Sequence, residues 1–64
     1  MKIFIEKTKE NKMLEFSGSA KELLVKLDLN PEAVLIARNG ALVTLDETLF
    51  DTDEIKILSV ISGG

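Results

Sequence analysis

The sequence predicts an α+β domain: a mixed sheet of four to five strands packed on one helix, in the order β-β-α-β-β-β. Three observations carry this expectation. Apolar and polar residues alternate with period two in the opening segment KIFIE and again in the closing segment EIKILSVI, the pattern of half-buried strands. One stretch, SAKELLVKL, sets apolar residues at helical spacing behind a capping sequence. One Asn-Gly pair sits between two β-rich runs, a strong short-range hairpin signal.

The elements follow in chain order. In KIFIE, Ile3 and Ile5 fall on one face, and Lys2, Phe4 and Glu6 on the other. The polar run KTKENK suits a hairpin loop, after which MLEFS resumes as a second, antiparallel strand carrying Met13, Leu14 and Phe16 until Gly18 breaks it. Ser19 is placed to cap the free N–H groups of a helix, with Glu22 positioned to reach back and close a capping box. Ala20, Leu23, Leu24 and Leu27 then form one apolar stripe for core packing, while Lys21, Glu22 and Lys26 stay in water. Pro31 disfavours helical geometry at Asn30, so the helix is expected to fail near Leu29-Asn30-Pro31.

Val34 to Arg38 is β-rich, Asn39-Gly40 fits a type I′ turn, and Ala41 to Val43 returns. TLDETLFDTDE is a longer acidic connection whose Leu45, Leu49 and Phe50 are expected to plug the open edge of the core. The closing strand puts Ile55, Ile57 and Ser59 on one face and Lys56, Leu58 and Val60 on the other. A strand this apolar belongs at the centre of the sheet, covered on one face by the helix. Beside the first strand it runs parallel to it, which is the β-grasp arrangement.

Composition narrows the function. With 64 residues the chain is one domain, and a chain of about 60 residues buries only roughly 60% of its unfolded surface, leaving little room for a deep cleft. There is no His, Cys, Trp or Tyr. Lacking His, the chain is without the commonest general base near neutral pH and the commonest metal ligand. Lacking Cys, it has no disulfide, thiolate nucleophile or zinc cluster. These absences argue against an enzyme and against a metal or bound cofactor. The net charge of −3 argues against nucleic acid, and the loose group Lys7, Lys9 and Lys12, with Glu10 among them, reads as a solvated turn. Asp46, Glu47, Asp51, Asp53 and Glu54 lack the spacing of a calcium loop. The opening apolar stretch is far too short for a signal peptide or a membrane span, so the expectation is a cytoplasmic chain without membrane contact.

The last nine residues, KILSVISGG, run a hydrophobic strand directly into two glycines. The expected organisation is one domain over 1–61 and a flexible Ser-Gly-Gly tail over 62–64. This ending and the layout together resemble the ubiquitin-like sulfur-carrier family of ThiS, MoaD and the small archaeal ubiquitin-like modifiers. MKIFIEKT resembles the first strand of ubiquitin, SAKELLVKLDL the family's single helix, ARNGALV its hairpin, and DEIKILSVISGG its closing strand and tail. The resemblance covers the whole chain, and the length is most similar to ThiS. The Gly pair is its specific part: with Gly at about 7% of residues, two in a row fall at a given place by chance in roughly 0.5% of chains.

The resemblance implies that Gly63 and Gly64 carry the function. Glycine lacks Cβ, so such a tail is thin enough for a narrow enzyme channel. A ThiF- or MoeB-like adenylating enzyme would join the Gly64 carboxylate to AMP, using ATP that the partner binds. Sulfide or a persulfide would then displace AMP to leave a thiocarboxylate for an acceptor synthase, in thiamin, molybdopterin or tRNA thiolation. With no Cys in the chain, any carried sulfur must ride on the terminal carbonyl. Two other readings stand beside it: a modifier conjugated through Gly64 to lysines of target proteins, and a plain β-grasp interaction domain. In the first two the chain is a cosubstrate, most simply a monomer, and should present a docking surface. Phe4, Leu35, Leu58 and Val60 are candidates, because each alternates with a neighbour assigned to the core. Arg38, at a strand end, is a candidate charge contact.

Overall fold

The computed structural model describes residues 1–60; Ile61 and the tail expected over 62–64 lie outside the described residues. Along the chain the elements are β1 (Lys2–Ile5), β2 (Glu10–Met13), β3 (Gly18–Ser19), α1 (Ala20–Lys26), β4 (Val34–Arg38), β5 (Ala41–Val43), β6 (Thr48–Leu49) and β7 (Glu54–Ser59). Five of the strands form one sheet in the order β2-β1-β7-β4-β5, and β3 pairs with β6 in a two-stranded ladder beside it. β7 is central, parallel to β1 and antiparallel to β4. The chain has the β-grasp fold expected for it.

The register explains the core. Ile3 pairs with Ile55, Ile5 with Ile57, and Ile57 with Ile36. These five isoleucines point to one face and are buried. Ala20, Leu23 and Leu24 of α1 cover them, each fully buried. Burying one such Leu side chain contributes about 1.5–3 kcal/mol. A helix of seven residues is too short to stand alone in water, so this packing holds it in place.

The helix begins as expected. The Ser19 hydroxyl accepts the Glu22 N–H at 3.2 Å, and Glu22 Oε1 accepts back from the Ser19 N–H, closing the capping box. It ends earlier than Pro31 suggested, at Lys26, with Leu27 as its cap. Asp28 takes a left-handed φ of 59°. The N–H of Asp28 then reaches Val25 O at 3.1 Å, and that of Leu29 reaches Leu24 O at 2.9 Å. This is a Schellman ending, which satisfies the last carbonyls and turns Leu29 onto the core.

Two other expectations are corrected. The second strand is Glu10–Met13, not MLEFS, and all four of its residues are exposed. It is an edge strand, held by antiparallel pairing to β1 rather than by burial, and its charges discourage edge-to-edge association. Leu14 and Phe16 follow it and pack against the core from outside the sheet. In the acidic connection only Leu49, on β6, plugs the core; Leu45 and Phe50 face water.

Candidate functional site

The sheet face opposite the helix is a continuous, partly apolar surface. Phe4 of β1 lies in register beside Lys56 of β7, Lys56 beside Ala37 of β4, and Ala37 beside Leu42 of β5. Leu58 and Leu35 form the next pair along β7 and β4. Val60 follows past the end of β7, its N–H donated to Ala33 O at 3.0 Å. Phe4 and Leu58 are half-buried, whereas Leu35 is 44% and Val60 46% exposed. This pairing brings Phe4, Leu35 and Leu58 onto the helix-free side, with the exposed Val60 just beyond the strand that leads in sequence to Gly63 and Gly64. Those two glycines lie outside the described residues.

The face is not uniformly apolar. The Lys56 ammonium sits 5.9 Å from the centroid of the Phe4 ring, within reach of a cation–π attraction. At one end Lys2 and Glu54 are register partners, so opposite charges stand side by side. Beyond them the Asn39-Gly40 turn closes β4 and β5, with φ of 49° and 89° as a type I′ turn requires.

Arg38 does not belong to this face. It pairs with the buried Ile55, so its side chain leaves the sheet on the helix side. There Nη1 donates to Thr48 O at 2.8 Å and lies 3.8 Å from Glu47 Oε1. Its visible work is to tie β6 to the main sheet.

Two carboxylates are held below the ordinary aspartate range. Asp51 is lowered by the Phe16 N–H it accepts at 2.9 Å and by the Met1 ammonium at 3.0 Å. Asp46 is lowered by the Thr44 hydroxyl and by its own backbone N–H. Both groups are exposed and ionised near neutral pH, which suits loop anchoring and not proton transfer. Among the described residues no three acidic side chains gather closely enough to hold a metal ion, and no helix is long and apolar enough to cross a membrane.

The ThiS family model matches residues 4–64, from the aromatic residue of β1 through the final glycine. The chain belongs to the ThiS family. Among curated relatives it is similar to the sulfur carrier protein TtuB of Thermus thermophilus, with 40% identity over 57 residues, covering 86% of this chain and 88% of that protein. Among solved structures it is similar to the thiamine biosynthesis protein ThiS of Geobacter metallireducens, with a TM-score of 0.67, 24% identity and full coverage of both chains. That second likeness shows the shared fold.

For a ThiS-family chain, sequence reasoning found the apolar candidates of the sheet face but not Ala37, Leu42 or Lys56 as their neighbours. Alternation already put Lys56 on the side of Leu58 and Val60. What joins it to Phe4 and Ala37 is the register of three strands from distant parts of the chain, which no local pattern encodes.

Proposed function

We propose that this chain is a sulfur carrier, a cosubstrate whose Gly64 carboxylate is activated by a partner adenylating enzyme and converted to a thiocarboxylate. The observation that carries the reading is the family match, whose span of residues 4–64 includes Gly63-Gly64. The 40% identity to a sulfur carrier supports it.

A carboxylate resists nucleophiles because it is charged and has no good leaving group. A Gly64 carboxylate oxygen attacks the α-phosphorus of ATP, and pyrophosphate departs with the electron pair of the broken P–O bond. Sulfide then attacks the carbonyl carbon of the acyl-adenylate and AMP leaves, so the tail ends in a thiocarboxylate. If the attacking sulfur is a protein persulfide, a thiol must afterwards cleave the S–S bond to free the same product. ATP, base and sulfur donor belong to the partners, so the carrier needs no cofactor of its own. The carrier offers its terminal Gly63-Gly64 and a face to dock by, built on Phe4, Leu35, Leu58 and Val60. β7 joins the two functions, because the strand that lies at the centre of the face continues in sequence into the tail.

Intact-mass spectrometry of the protein from its own host tests the reading. An oxygen-for-sulfur increase localised to Gly64 is the expected result, and deleting Gly64 should abolish ATP-dependent activation while the fold survives. Retained activation after that deletion would overturn the proposal. Gly-Gly remnants on host lysines in place of the sulfur adduct would replace it with the modifier reading.

A further inference from the structure

Lys56 occupies the middle of the helix-free face. Its register partners are Phe4 on one side and Ala37 on the other, so both cross-strand neighbours are apolar. Its ammonium rests 5.9 Å from the Phe4 ring centroid, and among the described residues it forms no ion pair. The other two charges nearby, Lys2 and Glu54, are register partners of opposite sign, so each has a counter-charge directly across the strand pair, although among the described residues they form no ion pair either.

A protein seated on Phe4, Leu58 and Leu35 must also cover Lys56, which lies beside Phe4 and two residues from Leu58. Covering an ammonium without an anionic partner costs far more than covering its apolar neighbours gains. The chain as a whole carries −3, so a positive charge at the centre of this face marks it off from the acidic remainder of the surface. From this we infer that Lys56 is the specificity-determining residue of the docking face, and that the partner presents a carboxylate within an apolar surface. As the face is covered, that carboxylate draws the ammonium off the Phe4 ring. The inference rests on the carrier reading, in which the partner is the adenylating enzyme.

The test is ATP–pyrophosphate exchange by the purified ThiF-type enzyme of the same genome, with the carrier concentration varied. Lys56→Met keeps the aliphatic stem and removes the charge, Lys56→Arg keeps the charge, and Lys56→Glu reverses it. Lys56→Met should raise KM for the carrier about tenfold, and Lys56→Glu about a hundredfold, with kcat unchanged, as expected for losing and then reversing one charge pair. Lys56→Arg should stay within about threefold of wild type, because it restores the charge at the same site. Raising salt should increase the wild-type KM more steeply than that of Lys56→Met. Thermal melts should be alike for all four, because Lys56 is exposed. Wild-type exchange with an unchanged KM for Lys56→Glu overturns this inference alone. A wild-type chain that supports no exchange overturns the carrier reading beneath it.

Discussion

The side-chain carbonyl of Asn39 accepts the backbone N–H of Glu54 at 2.9 Å, while the Asn39 backbone N–H donates to Glu54 O at 2.8 Å. The residue that turns the β4–β5 hairpin therefore also grips the start of the central strand. Its amide nitrogen adds a bond to Asp53 Oδ1 at 3.1 Å. Asn39→Gly keeps the left-handed φ of 49° and loses the side-chain bonds, at a cost of about 1 kcal/mol. Asn39→Ala loses the bonds and also strains the backbone, so it should cost roughly 2–3 kcal/mol. Urea denaturation read at constant m checks the order. Equal midpoints for the two variants would show that the turn conformation is not what separates them.

Leu49 supports a sharper contrast. It is fully buried on the short strand β6, whereas Phe50 beside it is 57% exposed. Leu49→Ala should cost about 2–5 kcal/mol, a large share of what a domain of this size has to lose. Phe50→Ser should change stability by no more than about 0.5 kcal/mol, as for other exposed positions. Thermal melts of the two variants measure the difference directly.

This contrast marks where the sequence stops being legible. Leu45, Leu49 and Phe50 are equally apolar in one acidic connection, and only the pairing of Leu49 with Gly18 selects the one that enters the core. The same limit hid β2, because an edge strand held by backbone pairing needs no apolar alternation. It also hid the helix end, which a left-handed Asp28 sets before Pro31 can act. What was legible depended on local chemistry: the Ser19–Glu22 box, the Asn39-Gly40 turn, and the alternation of β1 and β7. At the candidate site, alternation tells which apolar side chains leave the core side of the sheet, whereas Arg38, expected as a charge contact at a strand end, lies on the opposite side of the sheet from them. Its strand position gave no sign that Ile55 would be its partner and Thr48 its acceptor.

Asp51 predicts the acid limb of stability. Its carboxylate is held below the ordinary aspartate value by the Phe16 N–H and the Met1 ammonium. A group whose folded pKa lies below its unfolded one stabilises the fold above the unfolded value, and that stability is lost as pH falls through the folded value. The melting temperature should thus be flat near neutrality and fall below about pH 4, the unfolded aspartate value. Asp51→Asn should melt lower than wild type at neutral pH and show a shallower acid decline, while Asp46 retains its own share of the slope through Thr44. A melt series across pH on both proteins measures the difference, and identical acid slopes would remove Asp51 from the account.

Leu35 and Ile36 are adjacent on β4 and should fail in different ways. Ile36 is buried against Ile57, while Leu35 stands 44% exposed beside Leu58 on the opposite face. Ile36→Val removes one buried methyl group and should cost about 0.5–1.5 kcal/mol of stability. Leu35→Ser gives up only a cross-strand surface contact, worth about 0.2–1 kcal/mol. In the carrier reading, however, Leu35→Ser also removes an apolar anchor from the docking face, and its KM in adenylation should rise about tenfold, equivalent to roughly 1.4 kcal/mol of lost contact. Ile36→Val should leave that KM unchanged at a temperature where it is folded. Measuring both quantities on both variants separates docking from folding. A Leu35→Ser chain activated with the wild-type KM would place the docking surface elsewhere on the molecule.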